Sequence, residues 1–412
     1  MNQRVIIVGA GMVGSAIAYE LTRRGVDVLV LDSGEPAKGC SFGNSGLIAP
    51  GHVPMSAPGV YERYTAERDN PASAGRFAPS DRPALASWIE QFRDACAPEA
   101  YARGVDALAG LASLVMPLFR EWTDSLGNVF DLRESGALIA ACSDASLAAL
   151  RAEAEDLRAR GLPVEVLDAV QTREREPAAT DAVRGALFHP DWATIEPYRF
   201  ATAVLSAATQ RGAEMRTSAR AARAGEGYVE LDSGERLEAD AVVIATGADA
   251  RELLAPLGID LPMAAAIGWH ADLRLDGAVR AATVIADREV ILTPMEDRLR
   301  LSGLLEISTT PPAGVDPARI AQLLRGPEGV LRGITGEVVS EWVGRRPSLA
   351  DGLPAIGAVP GSPGVYCAVG HARMGLTLGP ATGRLLAEMI VGAPLSAPVE
   401  AFDPSRFSAA RV

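Results

Sequence analysis

Residues 5–32, VIIVGAGMVGSAIAYELTRRGVDVLVLD, decide the fold. The segment RVIIV (4–8) is apolar and short, the mark of a strand buried on both faces. Gly9, Gly11 and Gly14 follow it, with Ala10, Met12 and Val13 between them. A helical pattern then runs to Arg24, and Gly25 stops it. VDVLVLD is a second buried strand ending at Asp32, with Ser33 after it. Strand, glycine turn, helix and strand make a β–α–β unit of about thirty residues. Its chemistry suits a pyrophosphate. Gly9 permits the tight turn, Gly11 lets backbone approach the phosphates, and Gly14 lets the helix pack on the strand. The helix N-terminus faces the anion, and Asp32 is placed to accept hydrogen bonds from a ribose. The pattern by itself does not separate FAD from NAD.

Composition narrows the partners. The chain has 412 residues, enough for two or three domains, and a net charge of −13, which disfavours nucleic acid and anionic lipid. No apolar run reads as a membrane span. The N-terminus imitates a signal peptide, but its glycine spacing and Glu20 argue for a folded unit. These features lead us to expect a cytoplasmic protein, in peripheral contact with a membrane at most. The cysteines, Cys40, Cys96, Cys142 and Cys367, form no C-x-x-C pair, so no metal site is expected. Lys38 is the only lysine, which argues against pyridoxal phosphate chemistry and against a lysine-bearing phosphate loop.

Further along, residues 51–83 read as an irregular excursion rich in proline, glycine and serine. Residues 84–125 read as helical, 136–142 as a strand, 144–160 as a surface helix and 198–211 as a helix. AVVIA (241–245) reads as a buried strand ending at Thr246 and Gly247, a small-residue turn that lets the chain pass close to a ligand. Residues 270–308 alternate as an antiparallel sheet would, with a turn at 295–298, and a short helix follows near 316–325.

Four blocks carry a resemblance to the FAD-dependent D-amino-acid oxidase and dehydrogenase family. They are the opening unit, CSFGNSGLIAPG (40–51), ADAVVIATGADA (239–250), and GRRPSLADGLPAIG (344–357) with GVYCAVGHARMGLTLGPATGRLLAEMI (364–390). The second block is most similar to bacterial D-amino-acid dehydrogenases of the stand-alone D-hydroxyproline type. The fourth is similar to glycine oxidase, which has arginines at the positions of Arg346 and Arg373; D-alanine-type dehydrogenases usually lack the second.

The resemblance implies an α/β fold. A Rossmann-type FAD-binding domain (1–60, 165–255 and 343–412) would be interleaved with an α+β substrate domain (61–164 and 256–342) built on an antiparallel sheet. It also implies residue roles. Arg346 would clamp a substrate carboxylate, the alternative being a surface arginine or an interdomain ion pair; strand alternation by itself points Arg345 to the other face. Arg373 would be a second substrate contact or a charge near the flavin. His371 would orient its loop or act directly, and His52 would face the flavin or be structural. Ser41, Asn44, Gly46 and Leu47 would line the ribityl and isoalloxazine. Thr246 and Gly247 would pass the adenosine or pyrophosphate, and Gly375, Leu376, Thr377 and Leu378 would run under the pyrimidine edge. The expected reaction is oxidation of D-proline, D-hydroxyproline or a small neutral D-amino acid, with electrons leaving to a quinone or another electron-transfer partner. Three alternatives stay open: a glycine or sarcosine oxidase using oxygen, a non-catalytic FAD-binding subunit and an NAD-linked dehydrogenase.

Overall fold

A computed structural model describes residues 3–78, 82–275 and 279–408. Parts of two expected segments, 79–81 and 276–278, lie outside the described residues. Two sheets organise the chain. The first has six strands in the order Ala355–Ala358, Val365–Val369, Ala241–Ile244, Arg4–Val8, Asp27–Leu31 and Glu214–Arg216. It is parallel except for the outer hairpin, where Ala355 pairs with Val369. Val5 faces Ala241 on one side and Val28 on the other. Val5, Ile6 and Ile7 are wholly buried, as strands covered on both faces must be. One face carries the helices Met12–Thr22, Pro197–Gln210 and Gly375–Val391. The other carries a small three-stranded sheet of residues 221–238.

The second sheet has nine strands. Its path runs Glu337–Leu349, Met263–Arg274, Leu299–Ser308, Val290–Pro294, Ala282–Ile285, Ala137–Ala141, Gly185–His189 and Glu165–Asp168, and Gly75–Phe77 pairs beside Leu299–Ser308. Met263–Arg274, Leu299–Ser308, Val290–Pro294 and Ala282–Ile285 pair antiparallel in turn, while Ala282–Ile285 meets Ala137–Ala141 in parallel. The strands at 165–168 and 185–189 fall in a stretch assigned above to the cofactor unit, yet they pair in this larger sheet. The chain rejoins the first layer at the helix Pro197–Gln210. The excursion at 51–83 also holds more order than its composition suggests, with a helix at Val60–Ala66 and the strand Gly75–Phe77.

One helix corrects the expectation that no segment could span a bilayer. Pro98–Leu126 is long and apolar enough by length and composition, but half of its most apolar window is buried in the protein. Leu108, Leu111, Val115, Phe119 and Trp122 pack into the core beneath the first sheet. Glu20 locks it there. This carboxylate is fully buried and accepts from Trp122 Nε1 at 3.2 Å and from Arg384 at 2.8 and 3.2 Å, with Arg23 and Arg24 beside it. Burial opposes its charge, yet these arginines hold the carboxyl below its usual range.

Candidate active site

The opening turn is built as its glycines require. Gly9 has φ +107°, and a Cβ there would stand 2.4 Å from the Ala245 carbonyl oxygen. A Cβ on Gly14 would lie 1.8 Å from the Gly9 oxygen, so helix and strand meet at backbone distance. Asp32 braces the turn, accepting from Ala10 N and Gly34 N, both at 2.8 Å. Met12 N donates to Ser41 Oγ at 2.9 Å, which ties the second block to the first helix.

The late glycine-rich segment closes against the same helix. After the strand Val365–Val369, Ala372 takes φ +46° and donates to the Pro347 oxygen at 2.8 Å. His371 is buried, with Nε2 3.0 Å from Thr382 Oγ1. Burial brings its imidazole down to about 4, so it is neutral and orients its turn. Thr377 Oγ1 accepts from Ala49 N at 3.1 Å, and Leu378 sits in the core with Met12. The two turns, far apart in sequence, thereby share one cleft of about 510 Å³, within the range of about 300–1,000 Å³ usual for ligand sites.

Gly9, Gly11, Met12, Val13, Asp32, Ser33, Ser41, Asn44, Thr246, Gly247, His371, Gly375 and Leu376 line this cleft. Ala10, Gly14, Gly46, Leu47, Thr377 and Leu378 do not line it. Gly46 accepts from Ile195 N at 2.9 Å, and Leu47 pairs with Thr194. Sequence reasoning missed several lining residues, including Ala37, Lys38, Cys40, Pro311, Pro312 and Trp342. Trp342 was within reach, because it shares a strand face with Arg346 at the period of two. Cys40, which had no assigned role, lies within the field of Arg346 and Arg345, and burial raises its thiol.

The cleft fits FAD on its own terms. It has a glycine-built backbone turn at a helix N-terminus, and an acid at the end of the second strand. Thr246 Oγ1 is buried beside it with no protein partner among the described residues.

Arg346 sits beside this cleft. Its strand pairs with Met263–Arg274 so that Ala266 faces Arg346 and Gly268 faces Gly344. The guanidinium folds diagonally over Gly268, where a Cβ would lie 1.7 Å from Nη1. Only glycine leaves that notch. Among the described residues the Arg346 guanidinium has neither a hydrogen bond nor an ion pair. Burial lowers its pKa, and nearby Arg373 lowers it further. Arg373 is exposed and likewise unpaired among the described residues. Arg345 does the opposite, binding Asp249 at 2.9 and 3.1 Å. His52 lies edge-on to Trp192 at 5.9 Å, and its pKa falls well below the usual value through burial, Arg373 and His189. Tyr64, Tyr101 and Glu153 also lie within the field of Arg373. The arrangement is a cofactor cleft flanked by two arginines with no carboxylate of their own, and it suits an anionic small molecule.

The family model described as FAD dependent oxidoreductase matches residues 4–389. A D-amino acid dehydrogenase of Cereibacter sphaeroides is 32% identical, over 94% of this chain and 92% of that protein. One from a Methylobacterium species is 31% identical, over 94% and 95%. Among solved structures, glycine oxidase from Geobacillus kaustophilus superposes with a TM-score of 0.78 at 24% identity, covering 99% of this chain and 100% of that one. L-proline dehydrogenase from P. horikoshii gives 0.78 at 18%, covering 98% of each. At these identities the structural matches speak to fold alone.

Proposed function

Because the chain belongs to the FAD-dependent oxidoreductase family, we propose that it is a dehydrogenase of D-amino acids, acting on D-proline, D-hydroxyproline or a small neutral D-amino acid. The observation that carries this reading is the unpaired Arg346 guanidinium held over Gly268 beside the cofactor cleft. A guanidinium fork binds a carboxylate through two parallel charge-assisted hydrogen bonds. Arg346 grips the substrate carboxylate, and Arg373 adds a second positive charge at the open side. Bound FAD supplies the acceptor for the hydride leaving the substrate Cα. The protein's task is placement, since a near-attack distance of about 3–3.5 Å accounts for much of the rate. No protein base is required. His371 and His52 are neutral, and the substrate amine sheds its proton to water before hydride loss. Electrons then pass to a respiratory acceptor such as a quinone, at the cytoplasmic face of a membrane.

The second guanidinium favours one other reading, a glycine or sarcosine oxidase that uses oxygen. Rapid mixing of the amino-acid-reduced protein with air or with a soluble quinone separates the two. Fast reoxidation by quinone and slow reoxidation by oxygen support the dehydrogenase, and the reverse supports the oxidase. The carboxylate clamp is tested by Arg346→Ala. This variant should keep FAD and lose roughly 10²- to 10⁴-fold in kcat/KM, the loss of two charge-assisted bonds of about 1.5–3 kcal/mol each. Unchanged kcat/KM would remove Arg346 from the mechanism.

A further inference from the structure

Ser41 and Asn44 line the cofactor cleft, and the larger sheet holds the chain here by the carbonyl oxygens of residues 42–44. Arg300, on the strand Leu299–Ser308, donates from Nη1 to the Asn44 oxygen at 2.8 Å and to the Phe42 oxygen at 3.5 Å. His270, on Met263–Arg274, has Nδ1 3.2 Å from the Gly43 oxygen. A carbonyl only accepts, so Nδ1 carries the proton. Both side chains are buried, and burial, with Arg300 adjacent, lowers His270 to about 4. Arg300 is aimed by a fork onto Asp272 at 2.8 and 2.9 Å. Asp272 also accepts from Arg298 at 2.9 Å, and Arg298 reaches Glu196, which caps the helix Pro197–Gln210 of the first layer.

Trp342 fixes the same loop from another side. It lines the cleft and stacks on His270 at 5.5 Å and 17°. A Cβ on Gly43 would stand 2.1 Å from its ring. A trans peptide sets each N–H opposite the preceding carbonyl. With the oxygens of residues 42, 43 and 44 turned to the sheet, the amides of residues 43, 44 and 45 turn away from it, where Asn44 lines the cleft. Among the described residues, the Gly43 and Ser45 amides have no acceptor, and Asn44 N reaches only the Ser41 oxygen at 3.5 Å.

We propose that Arg300 and His270 are positioning residues for the cofactor: by pinning the 42–44 carbonyls they present the amides behind them as hydrogen-bond donors to acceptor atoms of bound FAD. The proposal rests on FAD occupying this cleft and is independent of which substrate the protein oxidises. Donors fixed before reaction stabilise charge that develops on reduction without reorganising.

The test compares wild type, His270→Leu, His270→Asn and the pair Asp272→Asn/Arg300→Met. The pair removes both charges so that no buried carboxylate is left alone. FAD affinity is read by titrating apo-protein against the fluorescence of free FAD, and the flavin midpoint potential by equilibrium with reference dyes. H270L and the double variant should weaken FAD at least tenfold and lower the potential. H270N should stay near wild type, because its amide nitrogen occupies the place of Nδ1. A role confined to holding the two sheets together would lower the melting temperature and leave the potential alone. Folded H270L and double variants with wild-type affinity and potential would overturn the proposal, as would H270N behaving like H270L. If H270L does not fold, the double variant decides. Neither readout uses an amino acid, so failure of the substrate assignment and failure of the clamp are told apart.

Discussion

Arg345 and Arg346 are neighbours with opposite fates. Strand alternation sends one to Asp249 and the other over Gly268 beside the cofactor cleft. That much was legible in GRRP, since side chains on a strand alternate faces. The notch was not. Gly268 lies almost eighty residues earlier, and only the pairing of two strands brings it under the guanidinium. We predict that Gly268→Ala keeps FAD and loses activity nearly as far as R346A, measured as kcat/KM with D-proline or D-alanine. Arg346→Lys should restore little, because an ammonium lacks the fork. Asp32→Ala should instead weaken FAD binding by about tenfold, as it removes the acceptor for two backbone amides that shape the turn.

The histidines make a second residue-scale prediction. His189, His270 and His371 are all lowered to about 4 by burial, from an ordinary value of 6.5. Between those values the unfolded chain binds protons that the native state does not. Their contribution is therefore complete above pH 6.5 and is lost as the pH falls toward 4, by up to roughly 1.4 kcal/mol per pH unit for each histidine. Thermal unfolding should show a lower midpoint at pH 5 than at pH 7.5, and His371→Asn should flatten that slope. An equal midpoint at both values would contradict the neutral, buried assignment.

Among the elements, the opening strand–turn–helix was readable because each of its glycines answers a local backbone demand. The long helix Pro98–Leu126 was readable as a helix but not as a partner of the first sheet, since its contacts come from distant segments. The strands at 165–168 and 185–189 were assigned to the wrong layer for a related reason: short apolar runs do not say which sheet they join. Glu20 belongs at this scale too. Sequence reading used it only as a break in an apolar run, whereas it ties the first helix, the long helix and the closing helix together. Glu20→Ala removes one member of a buried ionic cluster and leaves arginines uncompensated. Denaturant unfolding should show a loss of about 3–5 kcal/mol.

At the scale of the molecule, one strand joins the two layers. Glu337–Leu349 begins at the edge of the larger sheet, carries Trp342 to the cleft and Arg346 to Gly268, and ends where Ser348 pairs with His371. The meeting of the two glycine-rich turns was legible through family resemblance, because no local pattern links residues 9–14 to residues 371–376. The clamp on residues 42–44 was not, because it depends on side chains of two strands facing the backbone of a third segment. The architecture thus puts a cofactor turn, an unpaired arginine and the contact between the sheets along one path.

The most direct test of the account is the visible absorbance of the purified yellow protein, followed without oxygen as D- and L-amino acids are added in turn. The account predicts that the flavin band bleaches with D-proline, D-hydroxyproline or small neutral D-amino acids, does not bleach with their L-enantiomers, and bleaches far more slowly in R346A that still holds its FAD. A flavin that stays oxidised with every D-amino acid, or that R346A reduces as fast as wild type, would contradict it.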